Sequence, residues 1–507
     1  MDREMFYKTK NISRRSFLRS VAVGAAALGL SAGKIEDAFG DRSSTPRAAS
    51  VFGAPPAARD VKGTCPNIIF ILADDLGYND LSILGQTNFS TPYLDKMAKE
   101  GMILTDHYAG STVCAPSRAT LLTGNHTGRV YQRGNGPIEF RPDPQDITIA
   151  TRLKEANYHT AMIGKSGVAC NSTNAALPNE KGFDHFFGFL AHGAAHRFYP
   201  RRLYRNGQAV EYPENSEDGR SGQTYSGDLF LADTLDYLDQ RKQDSQPFFL
   251  HLALQQPHAD LAVPEKFRQP YVSQFNETPW TQPAPNRGYT SQTHPAATYA
   301  GMVRHLDYTV NTVLEKLHAL GIAHNTLVIF SSDNGSYSEG GYHYSIHNSN
   351  APFRGGKRDL YDGGIRVPTI AWWPETIKAG SRSNHISAFW DFPPTVLEMA
   401  GLPVPEEMDG ISYLPTLLGR PEQQKQHAYL YWEFYEQNGK QAIRYGKWKG
   451  VRLNVKNDRN GPIELYDIVN DPGERTNLAA QYPDVVAAIS DFMEEAHEEP
   501  ESELFSF

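Results

Sequence analysis

Oxygen-bearing side chains directly follow two apolar stretches of the sequence. Asp74 and Asp75 come after the first stretch, and Asp333 and Asn334 come after the second. Carboxylate and amide oxygens are the ligands that Ca²⁺ and Mg²⁺ prefer, whereas Zn²⁺ prefers His and Cys. Carboxylates gathered without a cation would repel one another strongly. The sequence therefore predicts a Ca²⁺ site, with Mg²⁺ as the alternative ion.

A thiol and several cationic side chains have the chemistry to act beside such a cation. Cys114 opens the segment Cys-Ala-Pro-Ser-Arg, which ends at Arg118 just before a helix-like run. Lys165 and His258 each follow another apolar stretch, and Lys357 lies further along the chain. Each feature alone has an ordinary explanation, because Asp-Asn-Gly is a common turn and Asp-Asp-Leu-Gly is a plausible helix cap. An isolated Lys or His is likewise more often solvated or structural.

The apolar stretches that precede these residues are predicted to be strands of one sheet. They cover residues 67–72, 158–163, 247–254 and 326–330. Continuous apolar runs of this length, separated by helical stretches, favour an α/β fold with a mostly parallel or mixed sheet between layers of helices. Ligands bind beyond the carboxyl ends of the strands in such sheets. Because all four runs end in polar or charged residues, we expect one shared site there.

The length of the chain indicates more than one folding unit. With 507 residues, the chain exceeds one ordinary core, so a large domain with a smaller one is expected. Residues 64–400 are predicted to form the α/β catalytic domain. Residues 401–507 are predicted to form a C-terminal α+β subdomain, because short alternating strands at 428–470 precede an amphipathic helix at 481–498.

The N-terminus has the pattern of an export signal. Residues 13–19 read Ser-Arg-Arg-Ser-Phe-Leu-Arg, and an apolar run follows over residues 21–30. That run is well short of the roughly 20 residues that a membrane-spanning helix needs. The pattern predicts a twin-arginine signal peptide over residues 1–37 and a linker over 38–63. We therefore expect a periplasmic or secreted protein with the twin-arginine translocase as a partner; the alternative is a basic tail before a buried helix.

Charge and cysteine content exclude some other classes. The formal net charge of −9 argues against nucleic acid as the main partner. The chain has 3 cysteines, Cys65, Cys114 and Cys170, which are too few for a disulfide framework. With Cys114 reserved for chemistry, Cys65 and Cys170 either pair or remain two separate buried thiols. The oligomeric state is left open by the sequence.

Together the motifs resemble those of the formylglycine-dependent (type I) sulfatases of the alkaline-phosphatase-like superfamily. The resemblance runs from Pro66 to about Leu478 and includes the Cys-x-Pro-Ser-Arg-x-x-x-x-Thr-Gly pattern and the Arg-Gly-Gly-Lys segment that begins at Arg354. It implies that a formylglycine-generating enzyme converts Cys114 to formylglycine. The metal ligands that it implies are Asp74, Asp75, the modified Cys114, Asp333 and Asn334.

The resemblance also implies a mechanism of sulfate-ester hydrolysis. The nucleophile is a hydroxyl of the hydrated formylglycine, and the cation and Arg118 lower the pKa of that hydroxyl. Lys165, Lys357 and His258 hold the sulfate oxygens, and His258 protonates the leaving group. The second hydroxyl of the hydrate then expels sulfate and restores the aldehyde.

One departure from the family pattern concerns the second residue after Lys165. Many sulfatases have Gly-Lys-x-His at this point, with the His helping to deprotonate the hydrate, but this chain has Gly167. We predict that His196, or with less support His192, replaces the missing imidazole, and that both contact the substrate. The alternative for His196 is a packed surface residue.

The substrate class is suggested by composition and by the same departure. An exported hydrolase rich in aromatic residues suits sugar binding, because aromatic rings stack on sugar faces. The combination of Gly-Lys-x-Gly with Asn348-Ser349-Asn350 resembles bacterial polysaccharide sulfatases. Sulfated galactans or galactosaminoglycans are therefore the expected substrates, with specificity set by irregular loops 192–225 and 258–295. The alternatives are a phosphoester hydrolase on the same scaffold, an aryl or choline sulfatase, and a non-catalytic glycan-binding protein.

Overall fold

A computed structural model describes residues 61–169, 176–242, 244–283 and 288–507 of the chain. The predicted signal peptide and the linker as far as residue 60 lie outside the described residues, and so does Cys170. Cys65 carries a free thiol. No helix in the described part of the chain is long and apolar enough to cross a membrane.

The described elements alternate between strands and helices along most of the chain. The strands are β1 (Asn67–Asp74), β2 (Met102–Leu104), β3 (His107–Tyr108), β4 (His159–Ala169), β5 (His185–Ala191), β6 (Arg202–Arg205), β7 (Gln208–Glu211), β8 (Phe248–Pro257), β9 (Thr326–Ser332), β10 (Ile370–Trp372), β11 (Ser381–Ser383), β12 (Ser387–Ala388), β13 (Leu430–Phe434), β14 (Lys440–Tyr445), β15 (Trp448–Leu453) and β16 (Ile463–Asp467). The α-helices are α1 (Pro92–Glu100), α2 (Cys114–Thr123), α3 (Ile149–Leu153), α4 (Ser226–Arg241), α5 (Glu265–Arg268), α6 (Pro295–Ala319), α7 (Asp362–Ile365), α8 (Phe392–Ala400), α9 (Leu414–Leu417) and α10 (Pro483–Ala496).

A large mixed sheet forms the centre of the fold. Its strand order is β11-β2-β10-β9-β1-β8-β4-β5-β6-β7. The central strands β9, β1, β8, β4 and β5 run parallel to one another. Antiparallel strands extend both sides of this block, with β10 against β9 and the β6–β7 hairpin against β5. The predicted α/β class with a mostly parallel or mixed sheet is confirmed.

Strand β1 illustrates why the predicted strands are apolar throughout. Successive side chains of a strand point to opposite faces of the sheet. Ile69 and Ile71 pack in one core with side chains of α1, α4 and α6. Ile68 and Phe70 pack in a second core with side chains of α2, α3 and α8. Because both faces are covered, every residue of β1 is buried, and the strand has no polar alternation.

A small antiparallel sheet of β13, β14, β15 and β16 follows in the C-terminal part of the chain. One face packs on α10, where Ile489 and Met493 meet Tyr431. The other face packs on the main domain, where Trp432 meets Tyr108. The predicted antiparallel sheet with one helix is confirmed, whereas the predicted boundary at residue 401 stays a prediction.

Three local features differ from the sequence-based expectations. The strand expected over residues 158–163 continues as β4 to Ala169, because β5 keeps pairing with it beyond Lys165. The loop at 192–225, expected to be irregular, contains the β6–β7 hairpin, which hydrogen-bonds to the sheet edge. Cys114 is the first residue of α2 and does not precede the helix.

A buried ion pair joins the C-terminal sheet to helix α7. Lys449 Nζ lies 2.9 Å from Asp362 Oδ1, and both side chains are fully buried. Asp362 Oδ2 accepts a hydrogen bond from the Tyr108 hydroxyl at 3.0 Å and lies 3.3 Å from Arg366 Nη1. Burial alone would raise the pKa of Asp362, but the charges of Lys449 and Arg366 lower the pKa to about 2.

We expect Lys449→Met to reduce the free energy of unfolding by about 3–5 kcal/mol, because it leaves a buried carboxylate without its ammonium partner. Lys447→Met is the matched control: Lys447 pairs with Asp467 at 2.7 Å, but its side chain is 49% exposed, and exposed pairs contribute about 0–1 kcal/mol. Equilibrium urea unfolding measures both variants, and equal losses would contradict the assignment. Because the pKa of Asp362 is lowered, its contribution is present above the ordinary carboxyl pKa and disappears as the pH falls through about 2.

Candidate active site

The carboxyl ends of neighbouring strands β1 and β9 bring the predicted oxygen ligands together. Ala73 lies opposite Ser332 in the β1–β9 pair, and the next residues along each strand are Asp74 and Asp333. Asp75 adopts a φ of 64°, which is uncommon outside glycine. Its backbone N–H donates to Asp333 Oδ1 at 3.1 Å, so the turn after β1 is tied to the end of β9.

Cys114 points into the same place from the start of helix α2. Its side chain is fully buried, and its Sγ lies 3.4 Å from Asp74 Oδ1. The N–H of Ala115 donates to Asn135 Oδ1 at 3.0 Å, which fixes the first turn of the helix. Burial, together with the charge of Asp74, raises the pKa of the Cys114 thiol well above its ordinary value. The unmodified thiol is therefore protonated and a poor nucleophile.

Arg118 lies one helical turn after Cys114, on the same face of α2. Its Nη2 lies 2.7 Å from Asp333 Oδ2 and 3.4 Å from Asp74 Oδ2. Its Nη1 donates to the backbone carbonyl of Lys165 at 3.0 Å. The guanidinium thus separates the two carboxylates and fixes α2 against β4.

Two lysine side chains complete the charge balance of the site. Lys165 Nζ lies 2.7 Å from Asp74 Oδ2, and Lys357 Nζ lies 2.8 Å from Asp75 Oδ2. Burial by itself would lower the pKa of each lysine, but Asp74 and Asp75 raise it. Both ammonium groups are therefore charged although they are buried.

His258 lies between Lys357 and the carboxylates. Its Nδ1 bonds the backbone carbonyl of Ala259, which assigns the ring proton to Nδ1. Its Nε2 lies 3.1 Å from Lys357 Nζ and 3.4 Å from Asp75 Oδ2. Burial and the charge of Lys357 lower the pKa of His258 to about 4. The imidazole is therefore neutral, with Nε2 accepting the hydrogen bond of Lys357.

The side chains fit a divalent metal ion. Ligand atoms of Asp74, Asp75, Cys114 and His258 all lie within 4.8 Å of one another. Asn334 Nδ2 donates to Asp75 Oδ1 at 2.6 Å, whereas Asn334 Oδ1 is buried without a hydrogen-bond partner in the described part of the chain. A buried carbonyl oxygen without a partner is unfavourable, and a metal ion beside it would satisfy it.

The pKa values of two neighbouring carboxyl groups move in opposite directions at this site. Burial and the negative charge of Asp74 raise the pKa of Asp333 to about 7. Burial also acts to raise the pKa of Asp74, but the surrounding positive charges, led by Lys165, lower it well below its ordinary value. A divalent cation beside both groups would favour the ionised form of each.

His192 and His196 lie in a short turn after β5 that borders this cluster. The ring of His196 stacks on that of His258 with centroids 4.2 Å apart, and the His192 ring lies 5.5 Å from that of His196. Both ring nitrogens of His192 and Nε2 of His196 are shielded from solvent, with no hydrogen-bond partner among the described residues. Burial is the main cause that lowers the pKa of both rings. Both rings are therefore neutral.

The structure gives a packing reason for the glycine at position 167. Gly167 has a φ of 71°, in the left-handed region that favours glycine. A Cβ atom there would lie 2.3 Å from Arg118 Cδ. In this conformation of β4, the strand has no space for a histidine beside Lys165.

Glu339 is a site residue that the sequence analysis missed. Its Oε2 lies 3.8 Å from Lys357 Nζ, and its carboxylate also contacts Arg358 and the Tyr289 hydroxyl. Burial would raise the pKa of Glu339, but Lys357 and Arg358 lower it to about 2. A single Glu in a loop forms no sequence pattern. Only its closeness in sequence to Asp333 could have indicated that Glu339 lies near the site.

The residues predicted from the sequence are thus brought to one place. Contacts join Asp74, Asp75, Cys114 and Arg118 with Asp333 and Asn334, and Lys165, His258 and Lys357 lie against the carboxylates of this group. His196 adjoins His258, and His192 adjoins His196.

Comparison with known proteins agrees with these motifs. The profile of the family described as Sulfatase matches residues 66–402, and a profile described as N-sulphoglucosamine sulphohydrolase, C-terminal, matches residues 355–499. An N-acetylgalactosamine-6-sulfatase of Canis lupus familiaris is 31% identical over 477 residues, which cover 84% of this chain and 84% of that protein. An N-acetylgalactosamine-6-O-sulfatase of Bacteroides thetaiotaomicron is 27% identical over 505 residues, which cover 85% of this chain and 92% of that protein.

A solved structure shares the fold over most of its length. The crystal structure of Ps i-CgsB in complex with k-i-k-neocarrahexaose matches with a TM-score of 0.72 and 27% identity, covering 86% of this chain and 94% of that chain. The predicted family membership is confirmed by these matches. The chain belongs to the sulfatase family and is a sulfuric ester hydrolase.

Proposed function

We propose that this sulfatase hydrolyses sulfate esters on galactose-type units of a sulfated polysaccharide or its oligosaccharides. It does so with a formylglycine formed from Cys114 by a formylglycine-generating enzyme and with Ca²⁺, or alternatively Mg²⁺. The observation that carries the proposal is the position of Cys114, fully buried beside Asp74 at the start of α2 and surrounded by three cationic side chains. Membership of the sulfatase family supports the modification and the cation.

The residues that would hold the cation are Asp74, Asp75, Asp333, Asn334 and the modified residue 114. When bound, the cation and the formylglycine hydrate supply a hydroxyl nucleophile of lowered pKa at neutral pH. Arg118 contributes positive charge to the same place and keeps Asp333 oriented, because it is bonded to that carboxylate at 2.7 Å.

Lys165 and Lys357 are proposed to bind the sulfate oxygens from two sides. Both ammonium groups are buried and held by carboxylates, so they keep their positions as negative charge develops on the sulfate. Their low-dielectric surroundings strengthen this stabilisation compared with water.

His258 is proposed to protonate the leaving sugar oxygen from Nε2. The neutral ring carries its proton on Nδ1, so Nε2 must first gain a proton, and the negative charge of a bound sulfate ester would favour the protonated ring. Lys357 Nζ lies 3.1 Å from Nε2 and is proposed to keep its own proton, because its ammonium binds the sulfate.

The names of related proteins support a carbohydrate substrate. The relatives include N-acetylgalactosamine-6-sulfatases, and the matched Ps i-CgsB structure holds a neocarrahexaose. Export through the twin-arginine translocase to the periplasm or beyond also belongs to the proposal, and the sequence pattern of residues 13–30 supports it.

Sulfate release from a panel of glycans tests the proposal. We expect release of inorganic sulfate from sulfated galactans or galactosaminoglycan oligosaccharides, measured by ion chromatography, and no release by Cys114→Ala. Phosphate esters are tested in parallel, and faster hydrolysis of phosphate esters than of sulfate esters would favour the alternative of a phosphoester hydrolase. Activity on aryl or choline sulfate without activity on any glycan would contradict the carbohydrate assignment but not the sulfatase activity.

Removal of divalent cations is expected to abolish sulfate release, and Ca²⁺ is expected to restore it. Because Asn334 Oδ1 has no hydrogen-bond partner among the described residues, Asn334→Ala should raise the Ca²⁺ concentration that restores half of the activity by about tenfold or more. Ca²⁺ should also raise the thermal unfolding midpoint of the wild type more than that of Asn334→Ala. Asn438→Ala, in an exposed turn of the C-terminal sheet, is the control, and an equal response of both variants would count against the ligand assignment.

His196→Ala is expected to lower kcat by about 10²-fold if this imidazole is the base, and to change the pH profile of kcat. His192→Ala is expected to affect KM more than kcat, because its ring nitrogens, which have no hydrogen-bond partner in the described part of the chain, are proposed to contact substrate. Steady-state kinetics across pH distinguish the two roles, with His343→Ala at an exposed position as the control. Near-normal turnover of His196→Ala at every pH would refute the base assignment and leave His192 as the remaining candidate.

A further inference from the structure

A buried ammonium group of the C-terminal sheet contacts the residues that directly follow Lys357. Lys440, at the start of β14, is 7% exposed. Its Nζ donates to the Arg358 backbone carbonyl at 2.6 Å, to Asp359 Oδ1 at 3.1 Å and to Gln437 Oε1 at 2.7 Å. An ammonium has three N–H donors, so these contacts use all of them. Two of the three are made with residues directly after Lys357.

The backbone of this segment has a conformation that needs external support. Arg358 has a φ of 76°, which is unfavourable for a residue with a long side chain. Such conformations persist where the surrounding structure fixes them from several sides. The N–H of Arg358 donates to the Thr112 carbonyl at 3.1 Å, and the N–H of Lys357 donates to the Ser336 carbonyl at 3.0 Å. These bonds fix the N–H groups of the segment, and Lys440 fixes the carbonyl that follows.

The side chain of Arg358 makes a second connection between the same parts of the molecule. Its Nε lies 3.1 Å from Glu436 Oε2 in the turn between β13 and β14. Its Nη1 pairs with Glu339, whose other carboxylate oxygen lies 3.8 Å from Lys357 Nζ. The C-terminal sheet therefore contacts both the backbone and the side-chain surroundings of Lys357.

We propose that Lys440 is a positioning residue for sulfate-ester hydrolysis. It holds the Arg358 carbonyl in the left-handed turn, and the turn sets the position of the Lys357 ammonium in the sulfate pocket. The inference rests on the proposed role of Lys357 in binding sulfate. The position of Lys357 matters because reaction rates depend steeply on geometry. A displacement of about 1 Å can lower the rate by about 10²-fold.

Lys440→Met tests the proposal, because it keeps the apolar stem and removes the ammonium. In the mature enzyme with modified Cys114, we expect kcat/KM for a small aryl sulfate to fall at least about tenfold, and inorganic sulfate to inhibit at least about tenfold more weakly. Lys447→Met, an exposed lysine of the same sheet paired with Asp467, should change neither value. Unchanged inhibition by sulfate in a folded Lys440→Met enzyme would overturn the proposal.

A double-mutant cycle separates positioning from a general effect on stability. If Lys440 acts through Lys357, then Lys440→Met should weaken sulfate binding much less in a Lys357→Met enzyme than in the wild type. Effects that multiply in the double variant would refute the coupling.

If Lys440→Met does not fold, Glu436→Gln is the second variant, because it removes only the ion pair with Arg358. We expect Glu436→Gln to weaken inhibition by sulfate about threefold. Unchanged inhibition in that variant would count equally against the proposal.

These probes keep the inference distinct from the proposed glycan substrate. Aryl sulfate and inorganic sulfate report on the sulfate pocket whichever sugar the enzyme prefers. A wild-type enzyme that binds inorganic sulfate but releases none from the glycan panel would contradict the carbohydrate assignment alone.

Discussion

The need to neutralise buried charge is the constraint on which this structure depends. Asp74, Asp75 and Asp333 are fully buried, and so are the cations Arg118 and Lys165. An isolated charge in such surroundings is strongly unfavourable, so every buried carboxylate needs a cationic partner within hydrogen-bond distance. The pairing distances of 2.7–2.8 Å made by Arg118, Lys165 and Lys357 meet this requirement.

The parallel central strands bring the opposite charges together because their carboxyl ends lie at one edge of the sheet. Strands β1 and β9 supply the carboxylates, β4 supplies Lys165, and β8 leads to His258. Helix α2 then contributes Cys114 and Arg118 from successive turns of one face. The approach of Arg118 to β4 is close enough to require Gly167, since a side chain there would collide with Arg118 Cδ. Next to this cluster, both ring nitrogens of His192 and the Nε2 atom of His196 have no hydrogen-bond partner among the described residues.

The C-terminal sheet contacts the loop that carries Lys357. Lys357 lies in a loop, and the sheet holds both sides of the stretch that follows it. Lys440 bonds the residues directly after Lys357, and Lys449 pairs with Asp362 at the start of helix α7 at 2.9 Å. Buried ammonium groups from two adjacent strands thus fix a loop whose own backbone conformation is unfavourable. This arrangement links the stability of the small sheet to the geometry of the sulfatase site.

The sequence by itself determined the strands, the fold class and the residue types of the site. The apolar runs that become β1, β8 and β9 are visible because a strand buried on both faces must be apolar throughout. The chemistry of Asp74, Asp333 and Cys114 is readable because each sits in a short motif beside such a run. Tertiary structure alone decided the contacts between segments far apart in the chain. Glu339 and Lys440 have no sequence pattern, since their partners lie near Lys357 only after the loop and the C-terminal sheet have packed together. Tertiary structure also determines the protonation of His258, because desolvation depends on what surrounds the ring in space. It likewise supplies the steric reason for glycine at position 167, because the contact with Arg118 forms only in the folded protein.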